Sequence, residues 1–288
     1  MGVWARSWAI TRMSFDVITK DKEMLWFPVL AGIFSLLFSA ALIVPTFVLD
    51  IAQQNGQRGL GPLQAAALFV TYFGLSFIAT FFNVCTVHTT RVRLDGGDAT
   101  FLDSIKFAFS KVHLIAGWSL VSASVGLLLR ALDMAAERLG LAGKILLYIL
   151  RTILASAWSI MTVFVVPAMV YNNLGPIDAI KDSIATLRQT WGESLIRYYG
   201  MGLVSFLCAL PCFVLIGVGM STLQGSSAAQ TLGLVLVGVG LVSLLAVFLV
   251  FSVASTVFNT ALYHFAQRGA APGFDSEVLR GVFTSRSK

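Results

Sequence analysis

Apolar residues run almost without interruption through six stretches of the chain: 24–49, 63–88, 112–132, 145–171, 195–220 and 231–265. A helix needs about 20 mainly apolar residues to cross a bilayer, and each stretch supplies them. The runs are continuous rather than alternating at every second residue, so they predict helices and not the strands of a barrel. Pro28, Pro45, Pro167 and Pro211 fall within or at the ends of these runs. Membrane helices tolerate them because neighbouring groups take up the freed carbonyls. The predicted fold is all-α and polytopic: one transmembrane domain over 1–268 with six spans, then a short tail, 269–288. The sixth run is long enough that its helix must tilt or project beyond the bilayer.

Three segments outside the runs follow a different period. Apolar residues recur at Trp4, Trp8, Phe15 and Ile18, with Thr11 a near-miss; at Phe101, Ile105, Ala108 or Phe109, and Val112; and at Ile177, Ile180, Ile184, Leu187 and Trp191. Spacings of three and four place such residues on one stripe of a helix. Arg6, Asp16, Lys106, Lys111, Asp178, Lys181 and Arg188 fall opposite. Amphipathic helices are therefore expected over 4–20, 100–111 and 176–192. Helices rich in Trp and Phe and joined directly to a span suit the headgroup plane; packing on one another as a small cap is the alternative.

Two of these segments match residue for residue, Asp103-Ser104-Ile105-Lys106 against Asp178-Ala179-Ile180-Lys181. Thr100 with Asp103 has the form of a capping box, and Pro176 suits a first helical position. The ends of the second and sixth runs also correspond: Phe82-Asn83, Cys85 and His88 answer to Phe258-Asn259, Ala261 and His264. Phe274-Asp275-Ser276 begins what reads as a truncated further copy of the amphipathic segment. The expected unit is an amphipathic helix followed by a helical hairpin, used three times.

The Arg6-Ser7-Trp8 opening, the two Asp-x-Ile-Lys segments, and Pro167-Ala168-Met169-Val170-Tyr171 leading to Ser183, Leu187, Trp191 and Gly192 resemble an uncharacterised family of prokaryotic six-span membrane proteins. The pattern is distantly similar to the membrane domain fused to some glycerophosphodiester phosphodiesterases. The resemblance implies a fold and a membrane location. It carries over no catalytic residue, because the catalytic part of those enzymes has no counterpart here.

Composition agrees. Of 288 residues, 57% are hydrophobic and 12% charged, about half the charged share of a soluble domain. The net charge is +6, with 20 Lys and Arg against 14 Asp and Glu. Arg58, Arg130, Arg138, Lys144 and Arg151 lie on one side of the expected topology, and the other 15 of the 20 basic residues on the opposite side. By the positive-inside bias both termini are cytoplasmic, in a plasma (inner) membrane. The basic surplus thus needs no nucleic acid as partner; membrane lipids are the expected one, with a homo-oligomer or a membrane-protein partner left open.

Polar residues within hydrocarbon are the candidate functional residues, because each must find a partner. Asn83 and Asn259 stand at matching depth, either lining a shared polar cavity or bonding between helices. His88 and His264 lie further along, where interfacial anchoring suits them better than a proton relay that lacks acidic partners. Lys144, Tyr148 and Arg151 share a helix face and either pair with Asp133 and Glu137 or hold an anionic headgroup. Of the amphipathic segments, Trp4, Trp8, Phe15, Phe101, Lys106, Lys181 and Trp191 are the expected membrane contacts.

Several chemistries are not encoded. Gly217, Gly219, Gly233, Gly238 and Gly240 lack the Lys-Ser/Thr of a phosphate loop and instead let helices approach closely. Cys85, Cys208 and Cys212 lie inside runs and suit packing. The Asp95-Gly96-Gly97-Asp98 turn has too few ligands for calcium. Neither a catalytic residue set nor a cofactor or metal is expected. The leading function is a non-enzymatic membrane protein that binds or organises lipid, or scaffolds partners. The alternative is a transporter or channel for a neutral or apolar solute.

Overall fold

A computed structural model describes residues 3–53, 62–191, 200–223, 227–269 and 271–274. The expected tail beyond 274, and the side chains of Trp4 and Trp191, lie outside the described residues. The described chain is helical: α1 (Val3–Lys20), a 3-10 turn (Lys22–Leu25), α2 (Trp26–Gln53), α3 (Pro62–Leu94), α4 (Phe101–Ser110), α5 (Val112–Glu137), α6 (Leu141–Met161), α7 (Val165–Asn172), α8 (Pro176–Trp191), α9 (Gly200–Thr222) and α10 (Ser227–Arg268). Six helical segments are long and apolar enough to cross a membrane: Lys22–Leu42, Ala65–Leu94, Val112–Glu137, Leu141–Asn172, Val204–Thr222 and Ala229–Arg268.

Local chemistry explains where these helices begin and end. Pro62 and Pro176 occupy first helical positions, where a missing N–H costs nothing. At Thr100 the capping box forms: the Asp103 N–H donates to Thr100 Oγ1 at 3.2 Å, and the Thr100 N–H and hydroxyl both donate to Asp103 Oδ2. α3 ends in a Schellman turn, with Gly97 N–H donating to the Val92 carbonyl and Gly96 N–H to that of Arg93. Gly96 sits at φ +83°, the left-handed position that such a turn requires. Asn173 closes α7 in the same region, at φ 53°.

The chain forms two compact units. One comprises 26–89 and 98–189. In it, α2 meets α3 through Phe34 stacked on Phe82, while Phe38 occupies the space a Cβ would need at Gly74. An aromatic ladder climbs α3 at four-residue steps, from Phe69 through Phe73 and Phe77 to Phe81, and ends on Phe109 of α4. α5 and α6 form a hairpin with Trp118 stacked on Trp158 at 5.7 Å.

The fourth apolar run, which its hydropathy predicts as one span over 145–171, is interrupted. α6 ends at Met161 and α7 begins at Val165. Ser183 of α8 serves both sides of the break, donating to the Met161 carbonyl at 2.7 Å and accepting from Phe164 N–H at 3.2 Å. A helix break in an apolar setting persists only when its freed backbone groups are satisfied this way.

The other unit comprises 1–25, 90–97 and 190–288. α9 and α10 form its hairpin, and α1 packs on both. Close approach is set by glycine: a Cβ on Gly219 would lie 2.9 Å from the Gly233 carbonyl oxygen, and one on Gly233 would lie 2.7 Å from that of Gly219. α10 changes character along its length. Before Val253 mainly Gly233 and Gly240 are buried, whereas Val253, Val257, Phe258, Ala261, Leu262 and Tyr263 form much of the unit's core. α3 shows the same change, exposed or half-buried up to Ala79 and mostly buried from Thr80 to Leu94.

Candidate functional site

The three helices outside the spans each bury small or hydroxyl-bearing residues and leave at least one large apolar residue exposed. Their buried positions include small and hydroxyl-bearing residues: Thr11 and Ser14 on α1, beside Val17 and Ile18; Ser104 and Ala108 on α4; Ala179, Ser183 and Thr186 on α8, beside Leu187. Ser104 and Ala179 hold the same place in the two Asp-x-Ile-Lys segments, and so do Ala108 and Ser183. About a third of a turn further round, at 3.6 residues per turn, each helix carries two large apolar residues seven apart. They are Trp8 and Phe15, Leu102 and Phe109, and Ile177 and Ile184. Trp8, Leu102 and Phe109 are each 63% exposed and Ile177 56%. Arg12, Lys106, Lys181 and Arg188 are exposed as well, each within about 40° of a residue of its helix's apolar pair at 3.6 residues per turn.

This differs from a single apolar stripe. On α8 the spacing places Ile177, Ile180, Ile184, Leu187 and Trp191 on one stripe, facing either the headgroup plane or a neighbouring helix. Leu187 is buried, but Ile177 is exposed and Ile180 and Ile184 are half-buried, while Ala179, Ser183 and Thr186 are inside. Small residues bring one helix backbone against another, and a large apolar side chain need not face protein when lipid is available.

Other sequence-selected residues are placed as follows. Phe101 stacks on Phe27 at 5.1 Å and so faces protein, whereas Phe15 meets Phe251 edge-on at 5.7 Å. His88 stacks on Phe107 at 4.1 Å, with Nδ1 at 3.3 Å from Ser104 Oγ, which also shares a 2.7 Å bond with Thr89 Oγ1. Asn83 is half-buried, and its Oδ1 is buried without a hydrogen bond from any described residue. Asn83 and His88 belong to the unit holding α4; Asn259, half-buried, and His264, buried, belong to the unit holding α10.

Arg151 Nε lies 3.3 Å from Asp133 Oδ1, an ion pair without hydrogen-bond alignment, while Lys144 and Tyr148 are exposed. Of the cysteines, Cys85 and Cys212 are buried and Cys208 is exposed. No three His, Cys, Asp or Glu side chains among the described residues converge as a metal site would need.

The sequence patterns pointed less clearly to the contacts that join elements. Asp21 is gripped by Arg93, and Asp95 pairs with Arg91 and Arg268. Lys111 donates to Asn173 Oδ1 at 2.7 Å and lies over the Phe107 ring. Asp103 is exposed; the hydroxyl and then the N–H of Thr100 hold its carboxyl below the ordinary aspartate range.

Helices of this length and apolarity define a multi-pass α-helical membrane protein. The chain belongs to a family of unknown function, DUF6159, whose model matches residues 63–274. No curated protein and no solved structure matches the chain, so nothing in these comparisons supports a likeness to the phosphodiesterase membrane domain.

Proposed function

We propose that this protein is a non-enzymatic component of the plasma (inner) membrane that binds and organises anionic lipid through α1, α4 and α8. In this reading the three helices lie in the headgroup plane on the cytoplasmic side, where most of the basic residues fall. The observation that carries it is the set of large apolar side chains that all three leave exposed: Trp8 on α1, Leu102 and Phe109 on α4, and Ile177 on α8. Water would penalise these side chains, whereas the boundary between headgroups and acyl chains accommodates them. Arg12, Lys106, Lys181 and Arg188 then meet lipid phosphates.

The test is lipid composition around the full chain in nanodiscs of mixed phosphatidylcholine and phosphatidylglycerol. Phosphatidylglycerol should be enriched near the protein at low salt, less so as salt screens the contacts. The combined changes Lys106→Glu, Lys181→Glu and Arg188→Glu should remove the enrichment. Identical lipid ratios in loaded and empty discs would overturn the reading.

A transport role for a neutral solute keeps one observation in its favour, the buried Asn83 Oδ1 that lacks a hydrogen bond among the described residues. Solute flux in proteoliposomes that depends on Asn83, and is lost in Asn83→Leu, would favour that reading over the first.

A further inference from the structure

The unit that contains α1, α9 and α10 holds a groove of about 530 Å³ between those three helices, within the range of about 300–1,000 Å³ typical of ligand sites. Its walls are apolar. α1 contributes Trp8, Arg12 and Phe15, α9 contributes Cys208, and α10 contributes Val250 and Phe251. The edge-on contact of Phe15 with Phe251 braces the groove from within its own lining.

We propose that this groove holds one acyl chain of an anionic phospholipid, with Arg12 binding the lipid phosphate. The proposal draws on the reading above, that the chain meets anionic membrane, and gives it a single defined site. Three observations support it. First, an apolar groove open at the side favours hydrocarbon over water, which finds no polar partner there. Second, Arg12 is the only charged residue that lines it; it is exposed, and it makes no ion pair among the described residues. Guanidinium binds phosphate through two parallel hydrogen bonds, so the groove joins an apolar slot to an anion site on one helix. A wholly apolar occupant, such as the span of a second copy, would leave that charge unanswered.

Third, the groove lies where α10 changes environment. Its α10 lining ends at Phe251, just before the enclosed stretch that begins at Val253. α10 supplies one of the six segments apolar enough to span a bilayer, Ala229–Arg268, and its exposed half lies before the enclosed stretch. A chain entering from the lipid side would therefore travel along this helix until protein closes around it, and would stop beside α1.

The experiment is native mass spectrometry of the full chain in mild detergent, titrated with phosphatidylglycerol, with phosphatidylcholine or with oleate. One phosphatidylglycerol should be retained per chain, with phosphatidylcholine at least roughly tenfold weaker, because its choline cation offsets the phosphate charge that Arg12 meets. Arg12→Gln should weaken retention to the same degree, and Arg12→Lys less. Ala246→Trp, which fills the groove from an exposed position on α10, should abolish retention with Arg12 intact. Equal retention of phosphatidylcholine, full displacement by oleate at equal concentration, or unchanged retention in both Arg12→Gln and Ala246→Trp would each overturn the proposal.

A measurement on the unaltered chain stands beside the variants. Cys208 is the exposed cysteine and lines the groove, whereas Cys85 and Cys212 are buried. Phosphatidylglycerol should therefore slow alkylation of Cys208 severalfold, and phosphatidylcholine should not; equal rates with the two lipids count against the site. The two ideas fail separately. Enrichment of anionic lipid in nanodiscs with no tightly held lipid sinks the groove alone, and one tightly held lipid without enrichment sinks the broader reading alone.

Discussion

Arg93, near the end of α3, holds Asp21 through two nitrogens: Nε reaches Oδ2 at 2.6 Å, and a terminal nitrogen reaches Oδ1. Asp21 is 7% exposed and sits between α1 and the 3-10 turn, so the pair ties the entry to the first span to the end of the second. Arg93→Ala should cost about 3 kcal/mol, because it strands a nearly buried carboxylate. Arg93→Lys keeps the charge, loses the fork and should cost less. Replacing both partners by apolar residues should come close to neutral, as expected when desolvation offsets attraction. Thermal midpoints of the purified variants decide this, and an unshifted Arg93→Ala would remove the pair from any account of stability.

Ser183 makes a second prediction. Its hydroxyl answers both the Met161 carbonyl and the Phe164 N–H at the α6–α7 break. Ser183→Ala preserves the buried volume almost unchanged and removes one hydrogen bond from each group, at a cost of about 1–3 kcal/mol. The effect should be local. Amide exchange at residues 162–165 should rise well before the rest of α6 responds, and unchanged protection there would show that the break does not rely on Ser183.

The six spans were legible because their signal is one-dimensional: a run of apolar residues long enough for a bilayer needs no knowledge of neighbours. The facing of α8 was not legible in the same way. Hydropathy grouped Ile177, Ile180, Ile184 and Leu187 as one stripe but left open whether it meets lipid or protein. Around a bilayer both accept an apolar residue, and the helix leaves Ile177 exposed while it turns Ala179, Ser183 and Thr186 inward with Leu187. The matched positions of Ser104 with Ala179 did carry the information, but as small residues at a shared register rather than as hydropathy. The break after Met161 was legible only in part. Pro167 marks it locally, since its ring excludes a helical carbonyl at Val163, but the serine that satisfies the break lies more than twenty residues downstream.

The Thr100 cap should show a dependence on acid. The folded state lowers the Asp103 pKa, mainly through the Thr100 hydroxyl. A depressed carboxylate contributes its full stabilisation above the unfolded value of about 3.9, and loses it as pH falls through the lowered folded value. The N-terminal turn of α4 should therefore be pH-independent near neutrality and begin to fray only below about pH 4. Asp103→Asn should remove that acid response, while Thr100→Ala should weaken the cap at every pH. Amide exchange of Leu102 to Ile105 measured across acid pH, corrected for intrinsic rates, reads the result; an unaltered acid response in Asp103→Asn would assign it to another group.

The α9–α10 hairpin gives two glycine substitutions of opposite sign. A methyl group added at Gly233 would lie 2.7 Å from the Gly219 carbonyl oxygen and 2.6 Å from Thr222 Oγ1. The first of these neighbours is backbone and cannot rotate away, so Gly233→Ala must push the helices apart, at about 1–3 kcal/mol. At Gly238, five residues along the same helix, an added methyl group would meet nothing within 4 Å. Gly238→Ala should therefore gain up to about 1 kcal/mol from helix propensity alone. The same chemical change, made twice on one helix, should lower the thermal midpoint at the first position and raise or preserve it at the second. Two shifts of the same sign would mean that close backbone contact does not set the spacing of α9 and α10.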